Sequence, residues 1–129
     1  MKSISNEWLK SAESDLAIIK LIIPDESLTH QVAFHAQQAI EKCLKAIIEE
    51  FQLGFIKTHS IRTLISIVSK QISINAKLEL IIMLDQLYID ARYPGEIGLL
   101  PFGKPSPANA HELQNLAINI FLQVQKYLA

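Results

Sequence analysis

Apolar residues recur along the chain three or four residues apart, and no segment shows the alternation of apolar and polar residues that is typical of a β-strand. Proline and glycine are concentrated at Pro24 and in the stretch 94–107, which the pattern predicts to contain the one long loop. We therefore expect an all-α fold. The predicted helices cover residues 5–22, 28–52, 60–70, 76–93 and 107–128.

Residues suited to helix ends stand near several of these boundaries. Ser27, Asn75 and Ser106 are the predicted N-caps of the second, fourth and fifth helices, because their side chains can accept hydrogen bonds from backbone N–H groups of the first turn. Pro107 suits a first helical position, and Gly54 is predicted to end the second helix.

Size, charge and cysteine content limit the function classes. A chain of 129 residues, 50% of them hydrophobic, can form a core without disulfides or metal, so we expect a single domain over residues 1–129. With 12 basic and 13 acidic side chains, extensive binding to a phosphate backbone is not expected, and any RNA contact would be local. Cys43 is the single cysteine, and no Cys/His cluster has zinc-ligand spacing, so we predict no metal and no cofactor.

Residues 1–10 include charged and polar residues where a signal peptide needs an apolar run, and no stretch approaches the roughly 18 apolar residues of a membrane span. These features predict a cytoplasmic protein that does not contact a membrane. Cys43 falls on the apolar side of the second helix and is expected to be chemically inert.

An acidic residue lies in the middle of an inward apolar stripe on the first predicted helix. Trp8, Ala12 and Ile19 define this stripe, and at about 100° per residue Asp15 falls among them. A carboxylate is therefore predicted on the core side of this helix.

The second predicted helix carries polar groups at two different angles. Gln37 and Glu41 lie on the flank of its apolar side, whereas His35, Lys42 and Lys45 lie on the opposite face. We expect His35 to be solvated, like His30 near the start of the helix. The two lysines could hold a phosphate or could simply make this face soluble.

Asp85 and Arg92 lie one heptad apart at the edge of the inward stripe of the fourth predicted helix. Burying polar and charged groups is costly unless they meet, so Arg92 is expected to converge with Asp15, Gln37 and Glu41. In one interpretation Arg92 bridges the two acids in a structural network. In the other, the polar patch opens into a cleft that accepts a ligand.

Four short runs resemble the HEPN domain family. The run 35–46, HAQQAIEKCLKA, is similar to the family's signature on its second helix, and KTHSI at 57–61 is similar to the start of its third. ARYP at 91–94 resembles the end of its fourth helix, and the pair Asp15 and Leu16 fits its first. The runs stand in the family's order and spacing, and the chain resembles prokaryotic HEPN partners of minimal nucleotidyltransferases.

This resemblance implies an up-and-down helical bundle, four-helix-bundle-like, that forms a homodimer and binds a nucleotide. It also implies a minimal nucleotidyltransferase as partner in a toxin–antitoxin-like module. The loop residues Ile97, Leu99, Leu100 and Phe102 are candidates for the apolar surface that a dimer would cover. The candidate ligand-binding residues are Asp15, Gln37, Glu41, Lys45, His59, Arg92 and Tyr93.

Two of these candidates have a structural alternative. His59 follows Thr58, which could cap the third helix, so this histidine could belong to the cap region instead of a site. Tyr93 could stack on a base or anchor the loop that begins at Pro94.

The ribonucleases of the family carry an arginine followed, after four to six residues, by a histidine. No histidine stands at those positions after Arg92 or after Arg62, so we predict no catalytic residues and expect a binding or interaction protein. Two alternatives stay open. One is a ribonuclease toxin with a non-standard active site built from His59 and Arg92, and the other is a purely structural helical dimer.

Overall fold

Helices account for most of the chain in a computed structural model, which describes residues 1–92 and 104–129, with side chains through Ile89 and again from Lys104. These described residues contain no β-strand, so the predicted all-α fold is confirmed. The helices are α1 Ser3–Ile22, α2 Thr29–Glu50, α3 Ile61–Val68, α4 Leu78–Arg92 and α5 Pro107–Leu128.

The second helix, α2, lies at the centre of the bundle and packs against α1, α3, α4 and α5. Four of its buried residues are alanines, at positions 33, 36, 39 and 46. A methyl side chain lets neighbouring backbones approach closely, so the other helices can surround α2. Its largest buried side chains, Ile40, Leu44 and Ile47, fill the space between these helices.

The predicted start of α5 is confirmed, and that of α2 is wrong. Ser106 caps α5, where its hydroxyl accepts a hydrogen bond from the backbone N–H of Asn109 at 3.0 Å. Ser27 instead lies in a short 3₁₀ turn, and its backbone N–H donates to the carboxylate of Asp25 at 2.9 Å. The turn delays the start of α2 to Thr29.

The predicted cap of α4 is also wrong, because Asn75 is held by a different helix. Its backbone N–H donates to Oε1 of Gln123 on α5, and its carbonyl accepts from Nε2 of the same side chain, both at 2.9 Å. These two hydrogen bonds to α5 fix the segment before α4, which begins at Leu78.

The end of α2 is set by Gln52 and not by Gly54. Gln52 takes the left-handed backbone conformation with φ of 51°. The N–H of Leu53 then reaches back to the carbonyl of Ile48 at 3.0 Å, as in a Schellman motif. The helix has therefore ended before Gly54, whose φ of 123° belongs to the following loop.

The start of α3 is capped partly from α4. Ser60 is the N-cap, as its hydroxyl accepts from the N–H of Thr63 at 3.2 Å. Asp85 of α4 accepts from the N–H groups of Ile61 and Arg62 at 2.7 and 3.1 Å. Thr58, the alternative cap suggested by the sequence, accepts from the N–H of Ser60 just before the helix.

Candidate functional site

One side of α2 carries polar side chains that reach the solvent; a buried acid of α2 itself, and an acid and a histidine from neighbouring elements, bind to them. Four partly exposed residues, His35, Gln38, Lys42 and Lys45, follow one another at intervals of three or four along this side, and we call them the α2 strip. Most of the remaining surface of α2 is buried.

The carboxylate of Asp15, on α1, binds two residues of the α2 strip. Asp15 is 6% exposed, which confirms the predicted inward acid. Its Oδ1 lies 2.9 Å from Nδ1 of His35, and its Oδ2 accepts from Nζ of Lys42 at 2.7 Å. The prediction that His35 is solvated was therefore wrong. His35 and Lys42 lie two helical turns apart, so both can reach one acid placed between them on the adjacent helix.

The carboxylate of Glu41, on α2 itself, has a similar set of partners. Glu41 is 5% exposed. Its Oε1 lies 2.8 Å from Nδ1 of His59, which stands before α3, and its Oε2 accepts from Nζ of Lys45 at 3.1 Å. Each buried acid thus binds one lysine and one histidine. We call Glu41, Lys45 and His59 the Glu41 set.

The amide of Gln37 joins the Glu41 set to the loop before α3. Its Nε2 donates to Oε1 of Glu41 at 3.2 Å and to the carbonyl of His59 at 3.0 Å. Its Oε1 accepts from Nε2 of Gln38 at 2.7 Å. These three bonds orient the buried amide, and they fix the loop that carries His59.

The partners of Glu41 determine the protonation pattern of His59. Lys45 and Gln37 can only donate to the carboxylate, so Glu41 is ionised and acts as an acceptor at both oxygens. The hydrogen between Glu41 and His59 is then carried by Nδ1 of the imidazole. In the neutral ring, Nε2 is left as an acceptor.

Aromatic rings flank the Glu41 set on two sides. The His59 side chain is 50% exposed, and its ring lies 5.3 Å from that of Tyr88 on α4, tilted by 36°. On the other side, Nζ of Lys45 lies 5.5 Å from the ring centre of Trp8 on α1. The site therefore combines fixed cations with ring surfaces contributed by three elements.

The structure brings together some of the site residues predicted from the sequence, and others lie outside the described residues. Asp15, Gln37, Glu41, Lys45 and His59 all lie along α2 or directly beside it. The side chain of Arg92 and the whole of Tyr93 lie outside the described residues, as do the loop residues Ile97, Leu99, Leu100 and Phe102. Asp85 does not join the two acids; it caps α3.

The candidate ligand-binding residues predicted from the sequence did not include His35, Lys42 or Tyr88, although Lys42 was recognised as a lysine that could hold a phosphate. The seven-residue spacing of His35 and Lys42 could have paired them with an inward acid on α1, because residues seven apart share a helix face. Tyr88 stands one helical turn before Arg92, and this position could have suggested it.

Cys43 lies in the core, where burial, and then the negative charge of Asp15, raise the pKa of its thiol.

Among the described residues, no three His, Cys, Asp or Glu side chains are arranged to hold a metal ion. None of the described helices is both long enough and apolar enough to cross a membrane.

Fold and site together define an all-helical bundle protein in which two buried carboxylates each anchor one lysine and one histidine along the central helix or directly beside it. The HEPN domain model matches residues 5–127, and the chain therefore belongs to the HEPN family, as the four sequence runs predicted. Domains of this family are generally related to nucleotides or RNA.

A solved structure agrees with the family. The crystal structure of an archaeal HEPN homologue superimposes with a TM-score of 0.71, at 26% sequence identity, and the match covers 100% of both chains. No curated protein matches the chain.

Proposed function

We propose that this HEPN protein binds a nucleotide on the α2 strip and serves as the partner of a minimal nucleotidyltransferase in a toxin–antitoxin-like module. The observation that carries the nucleotide part is the Glu41 set, in which one buried carboxylate fixes both Lys45 and His59 beside Tyr88. The nucleotidyltransferase and the module rest on the resemblance of the sequence runs. We also propose that the protein acts in the cytoplasm and that residues 1–129 form a single domain.

Each buried acid orders a lysine side chain and leaves some of the N–H donors of that lysine available to a ligand. A lysine ammonium carries three N–H donors, and its carboxylate partner takes one of them. Lys42 and Lys45 are each anchored in this way, at 2.7 and 3.1 Å. Because these side chains are already ordered, a phosphate bound between them costs less conformational entropy than it would on free surface lysines.

The aromatic rings suit the other half of a nucleotide. Bases stack on aromatic side chains with little regard for base identity, and such stacking contributes about 1–3 kcal/mol per base. The tilted pair of His59 and Tyr88 lies beside the Glu41 set. A phosphate near Lys45 would therefore place the rest of the nucleotide close to a ring surface.

The proposed homodimer is supported by large apolar side chains on the surface. Leu21 at the end of α1 is 81% exposed and Phe55 in the loop after α2 is 86% exposed. Ile82 and Ile89 on α4 and Leu122 on α5 are exposed as well. Light scattering after gel filtration should give the mass of two chains, and a monomer at micromolar concentration would contradict the dimer.

The test of nucleotide binding is a thermal melt with a panel of nucleotides. A ligand present at about 100 times its Kd stabilises the folded state by about 2.7 kcal/mol, which raises the Tm by several degrees. Lys45→Met should abolish this shift. Lys70→Met is the matched control, because Lys70 is an exposed lysine beyond the end of α3 and should not affect the shift.

The proposal fails if no nucleotide moves the Tm of the wild type, or if Lys45→Met leaves the shift unchanged. The partner is tested separately, by purifying the protein from its own cells and identifying what co-purifies. Recovery without any nucleotidyltransferase would contradict the two-protein module.

One observation favours the ribonuclease alternative. A histidine whose Nδ1 is bound by a buried carboxylate and whose ring is half exposed is oriented as a general base would be. The missing arginine-to-histidine spacing argues against this alternative. The purely structural dimer is the third candidate, since the acids of both sets already have partners within the bundle.

A further inference from the structure

The charges of the α2 strip and its acids cancel when the histidines are neutral. Asp15 and Glu41 supply two negative charges, and Lys42 and Lys45 supply two positive charges. The only other basic groups bonded to these acids in the described residues are His35 and His59. Protonation of a histidine is therefore what gives this cluster of described side chains a net positive charge.

We infer that His59 donates a hydrogen bond to the phosphate of the bound ligand only as an imidazolium, so that ligand binding at this site takes up a proton. The inference rests on the proposed nucleotide site and adds how that site is regulated. It also names the ligand group that His59 selects, a phosphate or another tetrahedral oxyanion.

The fixed Nδ1 of His59 is the main reason. The Nδ1 hydrogen is committed to Glu41 at 2.8 Å, and Glu41 is held as an acceptor by Lys45 and Gln37. A neutral His59 therefore presents only an Nε2 lone pair, which repels a phosphate oxygen. The second proton converts Nε2 into a charged donor, and charge-assisted bonds of this kind are about twice as strong as neutral ones.

The exposure of the two histidines points to His59 as the residue that responds. The side chain of His59 is 50% exposed and that of His35 is 20% exposed. His35 also packs edge-on against Phe34, with ring centres 5.1 Å apart. A ligand in solvent can therefore reach His59 more readily than His35.

The neighbouring charges leave His59 as the group that changes. Glu41 and Lys45 are bound to each other, and Asp85 is bound to the first N–H groups of α3. Lysine, arginine and tyrosine side chains ordinarily keep their charge between pH 5.5 and pH 8. The charged and titratable groups on the elements around His59 include Glu41 and Lys45 of α2, Lys57 of its own loop, Arg62 of α3, and Asp85, Tyr88, Asp90 and Arg92 of α4.

Two substitutions separate the two nitrogens of the ring. His59→Asn keeps an N–H donor near the position of Nδ1, so the bond to Glu41 can persist, but it places nothing at Nε2. His59→Gln places a neutral amide donor near Nε2 that does not titrate. The matched control is His111→Asn, which removes an exposed histidine of α5 that does not belong to the α2 strip.

The experiment measures binding by calorimetry at pH 5.5, 6.5, 7.5 and 8, with inorganic sulfate as one probe and ADP as the other. Sulfate keeps the same charge throughout this range, so its pH dependence reports on the protein alone. The wild type should bind sulfate about tenfold more tightly at pH 5.5 than at pH 8, because only the imidazolium form of His59 offers a charged donor at Nε2.

The two variants of His59 should differ according to which ring nitrogen, Nδ1 or Nε2, the new side chain replaces. His59→Gln should bind sulfate with an affinity that changes less than about twofold across the range, and His59→Asn should bind weakly at every pH. His111→Asn should retain the dependence of the wild type. In the wild type, repeating the titration in buffers of different ionisation enthalpy at pH 7.5 should show net uptake of protons on binding.

The outcomes distinguish this inference from the proposed function. Sulfate binding that is independent of pH in the wild type, or equally dependent on pH in His59→Gln, overturns the inference. If ADP binds at every pH with no proton uptake, nucleotide binding stands and the inference is wrong. If sulfate behaves as expected and no nucleotide binds, the proton-linked anion site stands and the nucleotide proposal fails.

Discussion

Asp85 on α4 accepts a hydrogen bond from the backbone N–H of Ile61 on α3 at 2.7 Å, so the first turn of one helix is capped by a carboxylate of another. The negative charge also lies where the positive end of the α3 dipole favours it. Since α3 is only 8 residues long, it gains little stability from its own backbone. The cap therefore couples the formation of α3 to the packing of α4.

Asp85→Ala should lower the free energy of unfolding by about 2 kcal/mol, because it removes the acceptor of two backbone N–H groups and of the Ser60 hydroxyl. Urea unfolding followed by circular dichroism measures the loss. Asp25→Ala is the control, as it removes a cap from an exposed 3₁₀ turn and should cost clearly less. Equal losses in the two variants would contradict the role of Asp85.

Asp15→Ala should destabilise the protein by about 2 kcal/mol, less than the 3–5 kcal/mol typical of breaking a fully buried pair. The reason is that the stranded His35 and Lys42 side chains are 20% and 21% exposed and can turn to water. A double-mutant cycle with Lys42→Met should give a coupling energy of about 1 kcal/mol. A coupling near zero would mean that this contact does not stabilise the fold.

Arg92→Ala should cost only about 1 kcal/mol, because Asp15 and Glu41 each hold a lysine and a histidine that the substitution leaves in place. Thermal melts of the variant and the wild type, with and without nucleotides, measure both effects. If Arg92 also contacts the ligand, the variant should lose the nucleotide shift. A loss of 3 kcal/mol or more would restore the interpretation in which Arg92 bridges the acids.

Purified protein should leave mixed RNA intact, because cleavage by general acid–base catalysis needs a histidine held at the scissile phosphate and the expected histidine is missing. The measurement is an overnight incubation analysed on a denaturing gel, alongside His59→Ala and Arg92→Ala. Robust cleavage that both substitutions abolish would make the ribonuclease alternative the better account of the site.

Cys43 should resist alkylation by iodoacetamide at pH 8 in the folded protein and react fully in urea. The thiol is 0% exposed, and burial raises its pKa, so the reactive thiolate is scarce in the native state. Mass spectrometry after a timed quench counts the modified cysteine. Rapid labelling of the folded protein would show that the helices around Cys43 open readily.

Helix content could be predicted from the sequence more reliably than helix ends. Apolar spacing located all five helices, because the period of a helix is repeated many times within each. Ends depend on single contacts, and two predicted caps were wrong for this reason. Asn75 is held by Gln123 of α5, and Ser27 lies in a turn organised by Asp25.

The site divides in a similar way. The burial of Asp15 and Glu41 could be predicted, because it follows from the angle at which each residue leaves its own helix. Their partners could not be predicted from that angle. Lys42 and His35 lie at the edge of the solvent-facing side of α2, and only the position of α1 brings Asp15 within 2.9 Å of both.

Because α2 packs against every other α-helix, it is the part of the chain with the least freedom to change. Replacing one of its buried alanines by a larger residue would push a neighbouring helix away, and such overpacking typically lowers the free energy of unfolding by about 1–3 kcal/mol. The positions left free to vary are largely those of the strip and the exposed residues beside it. A change of ligand preference would therefore have to arise from a few substitutions in the strip, or from neighbours such as His59 and Tyr88, on a scaffold that stays constant.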